Sequence, residues 1–391
     1  MDGWAGLRLG PGVASAVLRA ATQSYPWLRG ERTDPSERFA GLLWAEPTAL
    51  SVAEVEGAYL IASDRVRRSL LHLLALRRDR DGLASLEFLI GPDGPTDLLP
   101  LPTTGLLDPV LDVAAAPRLV PALVSVAARR GWAWHAADLL RRLAADGRLD
   151  DGSISAVVEG VVPLVVQLVD SCDRAEVVEG ERGDPTRADR HRLRALTQLL
   201  ADLPADGVAP ALWRSLAAAD PRIAAHGAVG LVARERSVAP ERLALIARDA
   251  EARWTLVQGL QGAGRLDLVE PETHDGRHRA ESDLVRWLST ETELGRHPDE
   301  LEHLVSLPTG SPPEGGEVHL FRFRMRAPHW SCARGWMIGA AGPYHDDGTT
   351  GQGVEPFASS MYAAEDEDDP GGHLDAILES LAIWPDSDDA A

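Results

Sequence analysis

Two stretches of this chain open in the same way. Ser63-Asp64-Arg65-Val66 and Ala219-Asp220-Pro221-Arg222-Ile223 each set an Asp at a helix start, then an Arg, then a β-branched residue, then small and aliphatic residues. An Asp at that position can accept a hydrogen bond from the free N–H groups of a first helical turn. The same start signal before several similar helices is how a stack of helix pairs is encoded. The pattern speaks for architecture and not for chemistry.

Composition agrees with a helical core. Of 391 residues, 45% are hydrophobic but only 5% aromatic, so the apolar mass is mostly Ala, Leu and Val. Ala and Leu favour helix. The chain has no Lys, and all 39 basic residues are Arg; a GC-rich coding sequence explains this without reference to function. The net charge of −21 repels nucleic-acid phosphates and anionic membranes unless a basic patch is segregated. Arg77-Arg78 and Arg141-Arg142 are isolated pairs on helical stretches, so no nucleic-acid and no membrane partner is expected. A basic or neutral protein partner is. Cys172 and Cys332 form no CxxC, which excludes a disulfide framework and fits a reducing cytosol. Met1-Asp2-Gly3-Trp4 lacks the basic n-region of a signal peptide, so a cytoplasmic location is expected. The most apolar run, Ile154 to Val169, contains Glu159, Pro163 and Gln167 and falls short of a membrane span.

Helical periodicity continues to about Leu288. Val52 to Ala62 and Asp64 to Leu76 form a pair, with Val66, Leu70, Leu73 and Leu74 on one stripe. A Pro-rich loop runs from Gly91 through Pro100, Pro102 and Pro109 and marks a weak boundary. Asp220 to Arg234 is apolar on two sides, which suits an inner layer with Ile223, Leu231 and Trp254 buried. After Leu288, Pro298, Pro308, Pro312 and Pro313 break the chain. Val318 to Arg326 then alternates apolar and polar residues as a half-buried strand does. Gly335 to Ala341 and Val354 to Tyr362 read as further strands, and Gly372 to Trp384 as a closing helix. β-structure is expected largely within 318 to 362.

These pairs resemble HEAT-type repeats, in which an Asp-containing turn precedes the second helix of each pair. A second resemblance lies in Glu281-Ser282-Asp283-Leu284-Val285-Arg286-Trp287-Leu288, Glu293-Leu294-Gly295-Arg296 and Pro298-Asp299-Glu300-Leu301-Glu302. With Phe321-Arg322-Phe323-Arg324, Pro328-His329-Trp330 and Gly335-Trp336-Met337, these look like a segment of uncharacterised HEAT-repeat proteins of GC-rich bacteria. The resemblance implies a mainly α fold, an α-solenoid of HEAT-like helix pairs with a small C-terminal α+β module. The expected divisions are N-terminal repeats over 1–170, an exposed charged loop over 171–187, HEAT-like pairs over 188–290 and the module over 291–391. No activity is carried over with it.

Chemistry-bearing motifs are few. His274 and His278 are four apart, a zinc spacing on a helix, but Pro271 and Gly276 place them in a loop. Asp346-Asp347-Gly348 reads as a turn rather than a calcium loop. Gly259, Gly262 and Gly264 lack the GxxxxGK[ST] of a phosphate loop. No cofactor, metal or catalytic residue is expected. The expected function is a non-catalytic protein-interaction scaffold, with an immunity- or antitoxin-like binder of a basic protein as one form of it. The candidate interaction surface is Phe321, Phe323, His329, Trp330 and Trp336. The four aromatics are expected to form one cluster, which is core if Leu374, Ile377, Leu378 and Leu381 of the last helix cover it, the favoured outcome, and a partner or ligand surface if that face is open. The rival readings are an enzyme with its site around His329, Trp330, Cys332, Trp336 and His345, and a nucleic-acid-associated HEAT-like protein, which the charge disfavours.

Overall fold

The structure, a computed structural model, describes residues 8–23, 35–129, 131–175, 185–290, 297–309, 316–324, 336–350 and 355–362, together with Gly372, Asp375, Ala376 and Glu379. The described residues form fourteen α-helices and one four-stranded sheet. They fall into two compact units, Met1–Ala218 and Ala219–Ala391.

The start signal is more general than the two copies that announce it. Asp79, Asp150, Asp220, Asp249 and Asp275 each accept a hydrogen bond from a backbone N–H in the first turn of the helix that follows, at 2.6–2.9 Å. The first copy works differently. Asp64 is the first residue of its helix rather than its cap, and its carboxylate pairs with Arg67 at 3.0 Å.

The first unit holds α1 (Pro11–Ala21), α2 (Pro35–Leu42), α3 (Val52–Ile61), α4 (Asp64–Arg77), α5 (Arg80–Ile90), α6 (Val120–Ala127), α7 (Ala133–Ala145), α8 (Asp151–Ala175), α9 (Pro185–Asp202) and α10 (Ala209–Leu216). α5 begins on its Asp79 cap. Each helix packs mainly on those one or two places along the chain: α4 on α2, α3 and α5, α6 on α7 and α8, α9 on α7 and α8. The charged stretch is shorter than expected, because α8 continues to Ala175 and α9 starts at Pro185. Among the described helices, only α8 is long and apolar enough to cross a membrane. Its Val157, Val161, Val165, Leu168 and Cys172 form a buried stripe in a helix that packs on α6, α9 and α10.

The Pro-rich segment between α5 and α6 lies inside this unit and is no boundary. It has short 3₁₀ turns, and its carbonyls are met by side chains of neighbouring elements. The Tyr59 hydroxyl donates to the Leu98 carbonyl, and the indoles and guanidiniums of Trp132, Arg129 and Arg148 donate to Pro100, Thr96, Leu111 and Val113.

The second unit holds α11 (Pro221–Val232), α12 (Pro240–Ile246), α13 (Ala250–Gly262), α14 (Gly276–Thr290) and β1 (Glu300–Thr309), β2 (Gly316–Arg324), β3 (Met337–Tyr344), β4 (Phe357–Tyr362). The strands form an antiparallel meander in the order β1-β2-β3-β4. β-structure therefore begins at residue 300, earlier than the expected 318. Pro308 did not forbid β1, because β1 is an edge strand and one of its sides needs no ladder partner. The expected division at 290/291 is not where the chain divides. α14 lies on the sheet, with Ala280, Leu284 and Leu288 in one core with Phe321, Phe323, Met337, Ala341 and Tyr344. Gly339 permits this approach, since a Cβ there would stand 2.9 Å from the methyls of Leu284.

α11 is the inner helix the sequence suggested. Ile223 and Leu231 are buried, and a side chain at Gly259 of α13 would run into both methyls of Val229. Trp254, expected to be buried, is half-exposed, with the Arg286 guanidinium 4.5 Å from its ring. Ile223→Asp would set an unpaired carboxylate in this layer, at a cost of roughly 2–5 kcal/mol. Chemical denaturation followed by circular dichroism should show the loss; an unchanged midpoint would mean that α11 is not an inner layer.

Candidate functional site

The sheet separates the residues that the sequence grouped. Phe321 and Phe323 alternate with Arg322 and Arg324, as expected, but they are 1% and 0% exposed beneath α14. They are core and not an interaction surface, and among the described residues α14 is the helix that packs on them. Trp336 does not join them. Arg322 pairs with Ile338 across β2 and β3, so Trp336, two residues before Ile338, lies on the face of Arg322. The Arg322 and Arg324 guanidiniums stand 4.7 and 5.2 Å from its ring. His329, Trp330 and Cys332 lie outside the described residues, as do Leu374, Ile377, Leu378 and Leu381. His345 and Trp336 flank opposite ends of β3, roughly 30 Å apart at strand rise, so these two do not share one site.

His278 is not in a loop. Asp275 caps α14 and also takes the His278 Nδ1 at 2.9 Å, while His274 sits on the preceding 3₁₀ turn. No group of three or more potential metal ligands occurs among the described residues.

A small cavity of about 10 Å³, room for about one water, lies where α13, α14 and β3 meet. Its centre is Asp283, which accepts from the Tyr344 hydroxyl and the Trp254 indole. Burial raises the Asp283 carboxyl above its ordinary range, and burial beside that carboxyl raises the Tyr344 phenol too. Arg253 is buried and spends its donors on Ser282 at 3.0 Å, Glu281 at 2.7 Å and the Ala247 carbonyl at 3.3 Å. These groups are partnered with one another, and together they fasten the helices to the sheet. Tyr344→Phe should cost about 1–2 kcal/mol by leaving Asp283 short of a donor; urea unfolding measures it, and an unaltered midpoint would show the bond to be idle.

A second polar row crosses β1 and β2. Ser306 Oγ lies 2.8 Å from His319 Nδ1 and 3.2 Å from His303 Nε2. Burial, with His303 close by, holds the His319 imidazole down to about 4, against an ordinary 6.5. The unfolded chain therefore takes up a proton between about 6.5 and 4 that the folded chain refuses. The sign is fixed: His319 contributes fully above 6.5, and that contribution is lost as the pH falls to 4. Melting temperature should drop less between pH 7 and pH 4.5 in His319→Phe than in the wild type. Parallel pH profiles would contradict this.

A roomier site lies in the first unit. α7 buries Ala133, Ala136, Ala137, Leu140 and Leu143. Trp134, Asp138 and Arg141 follow one another along the opposite face, at helical spacing. Beside them runs the Pro-rich segment, and between the two is a groove of about 60 Å³ lined by Pro102, Thr104, Leu106, Asp108, Trp134, His135, Asp138 and Arg142 among others. Trp134 is 40% exposed and Leu101 68%. Leu101 lies close against Gly131, just before α7. Trp132 is the anchoring counterpart: it is buried, and its indole N–H donates to the Pro100 carbonyl at 2.9 Å. His135 stacks edge-on to Trp134 at 4.7 Å, and burial lowers its proton affinity. Arg142 Nη1 bridges Asp108 at 2.7 Å and Asp138 at 3.5 Å. Arg141 reaches Asp202 at 2.6 Å.

No protein-family model, curated protein or solved structure matches this chain. The groove was not among the sequence-derived candidates. Its one legible signal is Trp134 itself, a large apolar residue off the apolar stripe of its own helix.

Proposed function

We propose that this chain is a non-catalytic interaction protein. In this reading its helix pairs stack as an α-solenoid, and the Trp134 groove of the first unit receives a segment of a basic protein. The observation that carries it is the groove: the exposed ring of Trp134 beside the carboxylates of Asp108 and Asp138, between α7 and the Pro-rich segment. Tryptophan is enriched among residues that dominate binding energy, and exposed apolar residues grouped around a groove mark interaction sites. The succession of contacts, each helix on the next one or two, supports the solenoid, since repeats of that kind touch only their neighbours. The charge of −21 favours encounter with a basic partner. An immunity- or antitoxin-like role, the acidic chain neutralising a basic toxin, is the form of this reading in which charge matters most.

The test is capture from the native host with the full chain and with Trp134→Ala, both checked for folding by circular dichroism. Basic proteins held by the wild type should be lost from the variant, a drop of about tenfold or more for a central tryptophan. The same proteins held equally by both would remove the groove from the reading.

A further inference from the structure

The groove already contains one cation on its carboxylates. Arg142 places a single nitrogen between Asp108 and Asp138, with its side chain 44% exposed, in the groove that Trp134 also lines. Each component suits a guanidinium. Carboxylates accept its planar N–H groups, and an indole attracts a cation to its face. Arg142 is tied to this position only by partly exposed ion pairs, which are worth little and exchange readily. Among the groove-lining residues two carboxylates face one guanidinium; Arg141, outside the lining, bonds Asp202 at 2.6 Å and stands 3.8 Å from Asp138.

Resting on the interaction reading above, we infer that the groove takes one arginine side chain of the partner, presented on an extended segment, and that Arg142 competes with it for Asp108 and Asp138. The incoming guanidinium stacks on Trp134 and takes the carboxylates, and Arg142 swings into solvent. Arginine fits better than lysine, because a planar guanidinium can stack and bond at once whereas an ammonium is a strongly hydrated point charge. A glutamate has no place there unless Arg142 itself is the recognising group. That alternative makes the opposite prediction for the same variant.

The experiment uses the full chain and three capped glycine–serine peptides with one central arginine, lysine or glutamate. The readout is the indole N–H signal of Trp134 by nuclear magnetic resonance, assigned by its loss in Trp134→Phe. The arginine peptide should shift this signal, the lysine peptide less, and the glutamate peptide not at all. Arg142→Met should tighten arginine-peptide binding by about two- to fivefold, the worth of an exposed ion pair. Asp138→Asn should weaken it by a similar factor. If the glutamate peptide binds and Arg142→Met abolishes that binding, the groove reads an anion: this inference falls while the interaction reading stands. If no peptide moves Trp134 yet partner capture still depends on Trp134, the single-arginine inference also falls alone. If capture is indifferent to Trp134 as well, both fall.

Discussion

A proline-rich segment can close short turns on itself but cannot pair its whole backbone in a regular ladder. Residues 92 to 117 carry Pro92, Pro95, Pro100, Pro102, Pro109 and Pro117, and each proline removes a donor from any regular ladder. The carbonyls remain, and a carbonyl buried without a partner is costly. The first unit answers with long side chains. Tyr59 of α3, Arg129 after α6, Trp132 before α7 and Arg148 after α7 reach across to Leu98, Thr96, Pro100, Leu111 and Val113. His72 of α4 meets the Leu106 carbonyl at 2.9 Å. A segment with only short 3₁₀ turns is thereby held by side chains along its length, and it forms one wall of the groove. The two tryptophans near the start of α7 divide the work: Trp132 fastens the wall and Trp134 faces the space.

The second unit solves a different problem with one helix. α14 turns Ala280, Leu284 and Leu288 to the sheet, and through Ser282 and Asp283 it also meets Arg253 and Trp254 of α13. Two layers that could have been separate modules share one covering element. Asp283 sits where they join, which accounts for its hydrogen bonds to one residue from each side.

Local rules in the sequence carried most of the helices. The Asp starts, the apolar stripe of α4 and the two-sided helix α11 needed nothing from outside their own turns. The alternation of Phe321 and Phe323 with arginines likewise placed both rings on one face. What covers that face was not legible, because it depends on α14 returning to β3, a contact between distant stretches of chain. Trp336 failed for a related reason: the side of the sheet it takes depends on the pairing of Arg322 with Ile338, and strand register is set by the whole hairpin. β1 was hidden because Pro308 reads as a breaker until the strand is known to be an edge. The start of α14 was hidden because Pro271 and Gly276 outweighed Asp275 as a cap. The groove was half legible: Trp134 stood off its stripe, but its opposite wall comes from a loop whose course no periodicity describes.

The sharing of α14 also orders events in time. As the chain is made, α14 leaves the ribosome before any of the strands it covers. Leu284 and Leu288 must wait, exposed, until β2 and β3 have followed and paired. Nascent chains with such open apolar faces are the ones chaperones attend. A product stopped between α14 and β3 would keep its helices but carry a bare hydrophobic flank, so the cell meets the second unit either whole or as a substrate for quality control.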